Sequence, residues 1–427
     1  MEYWVLFGSF AVLLVIGVPV AFSLGISSLA AVIYLGMPPL IVFQRMAAGM
    51  NVFALMAIPF FIYGGELMLH GAIAERLVRF AAGLLGHRKG GLGLVNVMAS
   101  VFFGGVSGSA VADASAVGSI MIPQMEKRGY DKDYSVNITV TAAIIALMIP
   151  PSHNMIIYSI SAGGTISIAD LFTAGILPGL LLAILLMLAA YYVARRKGYP
   201  AEPFPGMSRV VQLFLNALPG LFLVLIIVGG VRSGIFTATE SSMIAVIYAL
   251  LVTLLAYRTL NWETFTKATI GAVKTTAMVL MVIGAASSFG WLLALMQVPQ
   301  AMIVAMRAVS DNPYVIFLLL NVILLFLGCF MDMSPLIIIC TPIFLPVVKA
   351  FGMDPVHFGV ILILNLGIGL CTPPVGSVLF VGCAVGEIPL MKTVRTIWPF
   401  YGACFVTLML VTYIPQISLF LPHLLAK

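Results

Sequence analysis

Two apolar stretches of this sequence, residues 91–125 and 313–347, fit no simple membrane crossing, because each is too long for one spanning helix and too short for two. A spanning helix takes about 20 apolar residues, and each stretch has 35. Both are interrupted near the middle, at 104–109 (GGVSGS) and 328–334 (GCFMDMS). A helix broken inside a bilayer leaves backbone groups unpaired, which is tolerated only against protein or a wet cavity. We read both stretches as re-entrant helical hairpins that enter and leave on the same face. The bilayer itself follows from composition: of 427 residues, 62% are hydrophobic and 8% charged, against about 45–50% and about 25% in a soluble domain. That balance excludes a soluble enzyme, a nucleic-acid binder and a disordered chain. What remains is an all-α polytopic membrane protein.

Apolar stretches long enough to span lie near 4–36, 51–70, 134–160, 170–194, 212–231, 240–257, 270–297, 356–383 and 396–423, the first reading either as one long tilted helix or as two pieces broken near Pro19. The first basic residue is Arg45, so the N-terminal stretch has no basic n-region and reads as a retained helix. The five cysteines share no metal-site spacing and read as buried thiols. Net charge is +6, with the 21 Lys and Arg scattered at the ends of apolar stretches, as in cytoplasmic loops under the positive-inside rule.

Shifting the sequence by 223 positions aligns the two hairpins without a gap. Gly105 meets Gly328, Pro123 meets Pro346, Gly129 meets Gly352, Asp131 meets Asp354, and Pro150-Pro151 meets Pro373-Pro374. The first hairpin is flanked by Arg76, Arg79, Arg88, Lys89, Lys127, Arg128 and Lys132, the second by only Arg307 and Lys349. Their flanks therefore belong on opposite faces, and the repeats are inverted, as in many secondary transporters. The linker at 195–210, Arg258 with Lys267, and Lys392 with Arg395 all count as cytoplasmic.

Each hairpin is followed by a helix with two central prolines, which remove donors and clash with the preceding turn. Two discontinuous helices are expected at 134–160 and 356–383. The first half of such a helix ends in free carbonyls suited to a cation, and the second begins with N–H groups suited to an anion. Hard oxygen ligands suit sodium. One sodium site would draw on Ser107, Gly108 and Ser109 with the backbone from Ala146 to Pro150. The other would draw on Asp332 and Ser334 with Gly369 and Thr372. Asp332 is the sharpest single signal, because an aspartate at the centre of a spanning helix costs about 2.5–3.5 kcal/mol on insertion scales. Ser152, His153, Asn154, Thr372, Gly376 and Ser377 surround the two breaks and suit a carboxylate bearing hydroxyl or amide groups. Asp113, Glu66, Arg232, Glu240 and Lys274 read as structural partners or snorkelling residues.

Six motifs together resemble the large membrane subunit (M, DctM-like) of tripartite ATP-independent periplasmic (TRAP) transporters. They are residues 57–68 (AIPFFIYGGELM), 107–114 (SGSAVADA), 149–152 (IPPS), 229–240 (GGVRSGIFTATE), 331–335 (MDMSP) and 371–376 (CTPPVG). The resemblance spans almost the whole chain. It implies an elevator-type importer in the bacterial inner membrane, driven by Na+ and moving an organic acid. A periplasmic substrate-binding protein and a separate small four-helix membrane subunit are its implied partners. The sequence Ser152-His153-Asn154, where many members carry Ser-Ile-Pro, resembles the sialic-acid branch, with another sugar acid or a C4-dicarboxylate as the alternative cargo within the family. On this reading residues 1–90 are scaffold helices and an arm, 91–194 the first transport repeat, 195–210 a cytoplasmic linker, 211–312 the second scaffold and arm, and 313–427 the second transport repeat.

Two other classes compete. Residues 105–108 (GVSG) match the GxSG pattern of intramembrane serine proteases, with His153 as base for Ser107. Phe330 at the position matching Ser107, and the repeat itself, argue against that reading. A stand-alone divalent-anion/sodium symporter would share hairpins and broken helices, but the paired Ser-Asn-Thr tips of that group are lacking here.

Overall fold

The computed structural model describes residues 2–425, and among them every regular element is helical. Among these residues six helices are long and apolar enough to cross a membrane unaided, and up to nine spans result when each bent pair counts as one. Of the two readings of 4–36 the broken one holds, a break near Pro19 separating Glu2–Val15 from Val20–Tyr34. The stretch at 396–423 is not one helix: Trp398–Tyr413 and Gln416–Leu425 meet at 57°, because Pro415 cannot continue the helix. The helix expected over 170–194 runs as Ile168–Lys197, into the linker. Arg195, Arg196 and Lys197 complement its negative C-terminal end, and Gly198, at φ +69°, ends it.

Both hairpins form where the interruptions lie. The first has arms Gly91–Ser107 and Ala110–Lys127. Gly108, at φ +59°, turns the chain and donates its N–H to the Gly104 carbonyl at 3.1 Å. Ser109 then caps the second arm by accepting from the Ala112 N–H at 3.4 Å. The second hairpin has arms Pro313–Gly328 and Met333–Ala350, joined by a longer turn. Asp332 holds its N-cap position without a side-chain capping bond.

The proline pairs break their helices as expected. Lys132–Met148 and His153–Ser161 meet at 52°, with residues 149–152 between them. Pro355–Gly369 and Ser377–Val385 are separated by the longer segment 370–376. Both Pro-Pro bonds are cis.

The two broken helices pack antiparallel, which is the inversion seen directly. The Cys371 thiol donates to the Val140 carbonyl at 3.3 Å. A Cβ on Gly367 would lie 2.9 Å from Leu147. At the far end the Tyr158 hydroxyl donates to the Pro355 carbonyl at 2.6 Å. As the first helix rises from 140 to 158, its partner descends from 371 to 355.

Candidate functional site

Each hairpin tip lies against the break that follows it. In the first half Gly104 packs on the backbone of Ala146, so that a Cβ on Gly104 would come within 2.7 Å of the Ala146 Cα. In the second half Gly328 and Gly369 meet in the same way, a Cβ on Gly369 reaching 2.7 Å from Gly328. Residues 146 and 369 are repeat-equivalent positions. Small residues at both let a hairpin arm approach a helix backbone closely.

The tips are built differently. At the first, Gly108 sits against the Pro151 carbonyl and the Ser152 backbone. The Ser107 and Ser152 hydroxyls and the Asn154 side-chain oxygen are buried without hydrogen-bond partners. His153 opens the second half-helix and is half-buried. Of the expected cation ligands here, Ser109 is turned into its capping bond and Ala146 offers only backbone. The two prolines explain why carbonyls are spare: positions 150 and 151 have no N–H to return to Ala146 and Leu147. This group of hydroxyl, amide and carbonyl oxygens fits a hard cation beside a polar anion.

At the second tip the Val375 N–H donates to the Cys329 carbonyl at 3.0 Å, joining tip to break. The Ser377 hydroxyl stands 3.5 Å from the Asp332 carboxylate. Thr372 is engaged locally, its hydroxyl donating to Ile368 at 2.8 Å and its N–H to the Gly369 carbonyl at 2.9 Å. Ser334 is buried in the first turn of the second arm and Gly376 in the break. Asp332 and Ser377 are thus brought together, whereas Gly369 faces the hairpin arm and has one carbonyl lone pair already used. Among the described residues no three His, Cys, Asp or Glu side chains converge as a metal cluster.

Four of the five remaining charged residues read from sequence have structural partners, and Lys274 forms no ion pair among the described residues. Asp113 accepts from the Ser100 hydroxyl at 2.7 Å. Arg232 pairs with Asp170 at 2.6 Å, Glu66 lies 3.5 Å from His70, and Glu240 closes a capping box with Thr237. The five cysteines are free thiols. Two buried polar pairings were not expected: Asn96 donates to Thr139 at 2.7 Å, and Asn365 donates to Asn321, which donates to Thr412 at 3.0 Å. Their only sequence signal is an isolated Asn within an apolar run.

Two inverted hairpin-and-broken-helix units with polar groups gathered at the breaks define a membrane permease of the inverted-repeat type. Residues 7–417 match the family model described as Tripartite ATP-independent periplasmic transporter, DctM component, and the chain belongs to that family. It is a multi-pass inner-membrane protein and the large permease component of a transporter, not an enzyme. Among its relatives, the uncharacterized protein YgiK of Salmonella typhimurium is 46% identical, over 99% of this chain and 97% of its own. The sialic acid TRAP transporter large permease protein SiaM of Vibrio cholerae is 40% identical over 96% of each chain. The 2,3-diketo-L-gulonate TRAP transporter large permease protein YiaN of Escherichia coli is 36% identical over 94% of each. The crystal structure of the YdaH transporter of Alcanivorax borkumensis shares the fold, with a TM-score of 0.62 at 13% identity, covering 87% of each chain.

Proposed function

We propose that the protein imports an organic acid, N-acetylneuraminate (sialic acid) before others, by sodium-coupled elevator transport. A periplasmic binding protein would deliver the acid, and a small four-helix membrane subunit would complete the permease. The observation that carries the substrate reading is the trio Ser152-His153-Asn154 at the start of a half-helix. There the N-terminal N–H groups favour a carboxylate, and the Ser152 and Asn154 oxygens have no partner within the protein. The name borne by SiaM supports the same substrate. The name of YiaN favours a second reading, another sugar acid held by the same groups.

Sodium is cargo on this reading, not a resident group. One ion would be held by Ser107, Gly108, Ser109 and the carbonyls from Ala146 to Pro150. A second would be held by Asp332, Ser334, Gly369 and Thr372, while Thr372, Gly376 and Ser377 also face the acid. Binding would draw each tip onto its break, and the hairpins with their broken helices would then slide against the remaining helices.

The test is uptake of labelled N-acetylneuraminate into proteoliposomes holding this chain and its small membrane partner, with and without a sodium gradient and the binding protein. Uptake requiring both is expected. Uptake without the binding protein would sink the tripartite reading, and failure with this acid but success with another sugar acid would sink only the substrate. Asp332→Ala and Ser107→Ala should each weaken the sodium dependence; wild-type dependence in both would overturn the ion sites.

A further inference from the structure

The transport reading leaves unused a cationic pocket of about 300 Å³ at the end of the molecule that the positive-inside rule assigns to the cytoplasm. That is at the lower end of the range for small-molecule sites. Three segments separated in sequence build it. Arg196 and Lys197 come from the end of Ile168–Lys197, Asp133 from the start of the first broken helix, and Arg395 from the short helix Leu390–Thr396. The segments are locked together: Asn137 donates to the Thr393 carbonyl at 3.1 Å and to the Thr396 hydroxyl at 2.8 Å, and Lys197 is bonded to Asp131. The helix ends that carry the cations are therefore held together, while the side chains of Arg196, Lys197 and Arg395 themselves are exposed.

The charge is one-sided. Arg196, Lys197 and Arg395 meet two carboxylates, the buried Asp133 and Asp131, which takes up Lys197, so Arg196 and Arg395 are left without an ion-pair partner. The walls are mixed. Arg196 lies over the Tyr192 ring at 4.9 Å, Pro399 lines the pocket, and Tyr192 and the neighbouring Trp398 are exposed aromatics. Tyrosine and tryptophan beside arginine at the end of an apolar helix mark headgroup depth. Basic pockets between spanning helices on the cytoplasmic side suit anionic headgroups.

We propose that this pocket binds the phosphodiester headgroup of an anionic phospholipid of the inner leaflet. Its acyl chains would run along the exposed face of Ile168–Lys197. A soluble phosphate would be served by the cations alone; the aromatic wall at the bilayer boundary favours the lipid. A lipid seated there would bridge the first broken helix to the C-terminal part of the second repeat, making their attachment sensitive to lipid composition.

Native mass spectrometry of the full-length protein, purified in detergent and supplied with dioleoylphosphatidylglycerol or dioleoylphosphatidylcholine, tests this. Wild type should carry the phosphatidylglycerol adduct preferentially. Arg395→Gln and Arg196→Gln should each lower its occupancy constant about fivefold, the weight of one basic residue near an anionic surface. Arg395→Lys should retain most of it, and Arg307→Gln, far along the chain at an exposed site, should change nothing. Monodispersity in size exclusion separates loss of binding from loss of folding. Equal adducts from both lipids, unchanged binding in both Arg395→Gln and Arg196→Gln, or displacement by millimolar inorganic phosphate would overturn the proposal.

Discussion

The two hairpins share a sequence pattern but not a style of construction. The first closes through Gly108 and Ser109 and is tied internally by Ser100 to Asp113 and outward by Asn96 to Thr139. The second opens into the longer turn 329–332, and its polar thread runs through Asn321, Asn365 and Thr412, away from the tip. The first tip is therefore a packed object whose spare oxygens lie buried. The second presents a carboxylate, Asp332, with only a long contact to Ser377. Two copies of one scaffold have been fitted to different polar tasks.

Substitutions at the close contacts of each copy should expose this difference. The largest effect is expected at Gly108→Ala set against Gly129→Ala. Both glycines lie at positive φ, but a Cβ at 108 meets the Pro151 carbonyl while at 129 it meets nothing within 4 Å. Each pays a left-handed backbone cost of about 1–2 kcal/mol. Only the first should also disable uptake, by more than tenfold given about 1–3 kcal/mol of overpacking on top. Equal activities would mean that the first tip is not tightly seated. Next, Gly369→Ala should lower thermal stability by about 1–3 kcal/mol, although its equivalent in the first repeat is already Ala146. A neutral result would show that the Gly328–Gly369 approach is not needed.

Smaller effects separate the polar ties. Ser100→Ala leaves the buried Asp113 without its donor and should cost about 1–3 kcal/mol in detergent unfolding. Asn365→Leu should cost about 0.6 kcal/mol, the average for a hydrogen bond between membrane helices; the reverse order would contradict the contrast drawn above. The smallest effect lies at the linker. The Lys197 ammonium bonded to Asp131 holds that carboxyl below its usual range. Its contribution is thus fully present above the unfolded carboxyl's pKa of about 3.9 and is lost as pH falls through the depressed value. Half-exposed as the pair is, it is worth under about 1 kcal/mol. Lys197→Met should remove that part of the acid-side loss of stability in a melting series from pH 6 to 3, and an unchanged profile would show that the pair carries none of it.

Much of this architecture could be read from sequence because backbone chemistry announces itself. Gly108, Pro150-Pro151 and Pro373-Pro374 impose turns and breaks whatever surrounds them, and the 223-residue shift aligned the two proline pairs. The inversion followed from charge and is visible in the antiparallel broken helices. Less legible were features that depend on which face meets which. The amphipathic helix Ile73–Leu85 was hidden between stronger apolar runs. The choice of Asn96 and Asn365 as buried ties needed three-dimensional neighbours. At the site, Asp332 beside Ser377 was foreseeable from paired motifs. The close seats of Gly104 on Ala146 and Gly328 on Gly369 were not, since glycine in an apolar helix serves many ends.

The linker between the halves has a consequence for how the two repeats are joined. Its first part is clamped to the first repeat: Arg128 pairs with Glu202 at 3.2 Å, Tyr130 donates to the Pro200 carbonyl at 3.0 Å, and the Tyr199 ring lies 4.4 Å from that of Tyr130. Residues 203–205 are then exposed and outside any helix. Covalent continuity through that short seam carries little of the association, which rests instead on helix packing across the halves, above all Ala57–His70 against Ala238–Leu251 and Trp262–Leu295, with the antiparallel broken helices adding to it. Two separately made polypeptides divided there would each keep a complete repeat and meet through a surface already shaped for docking.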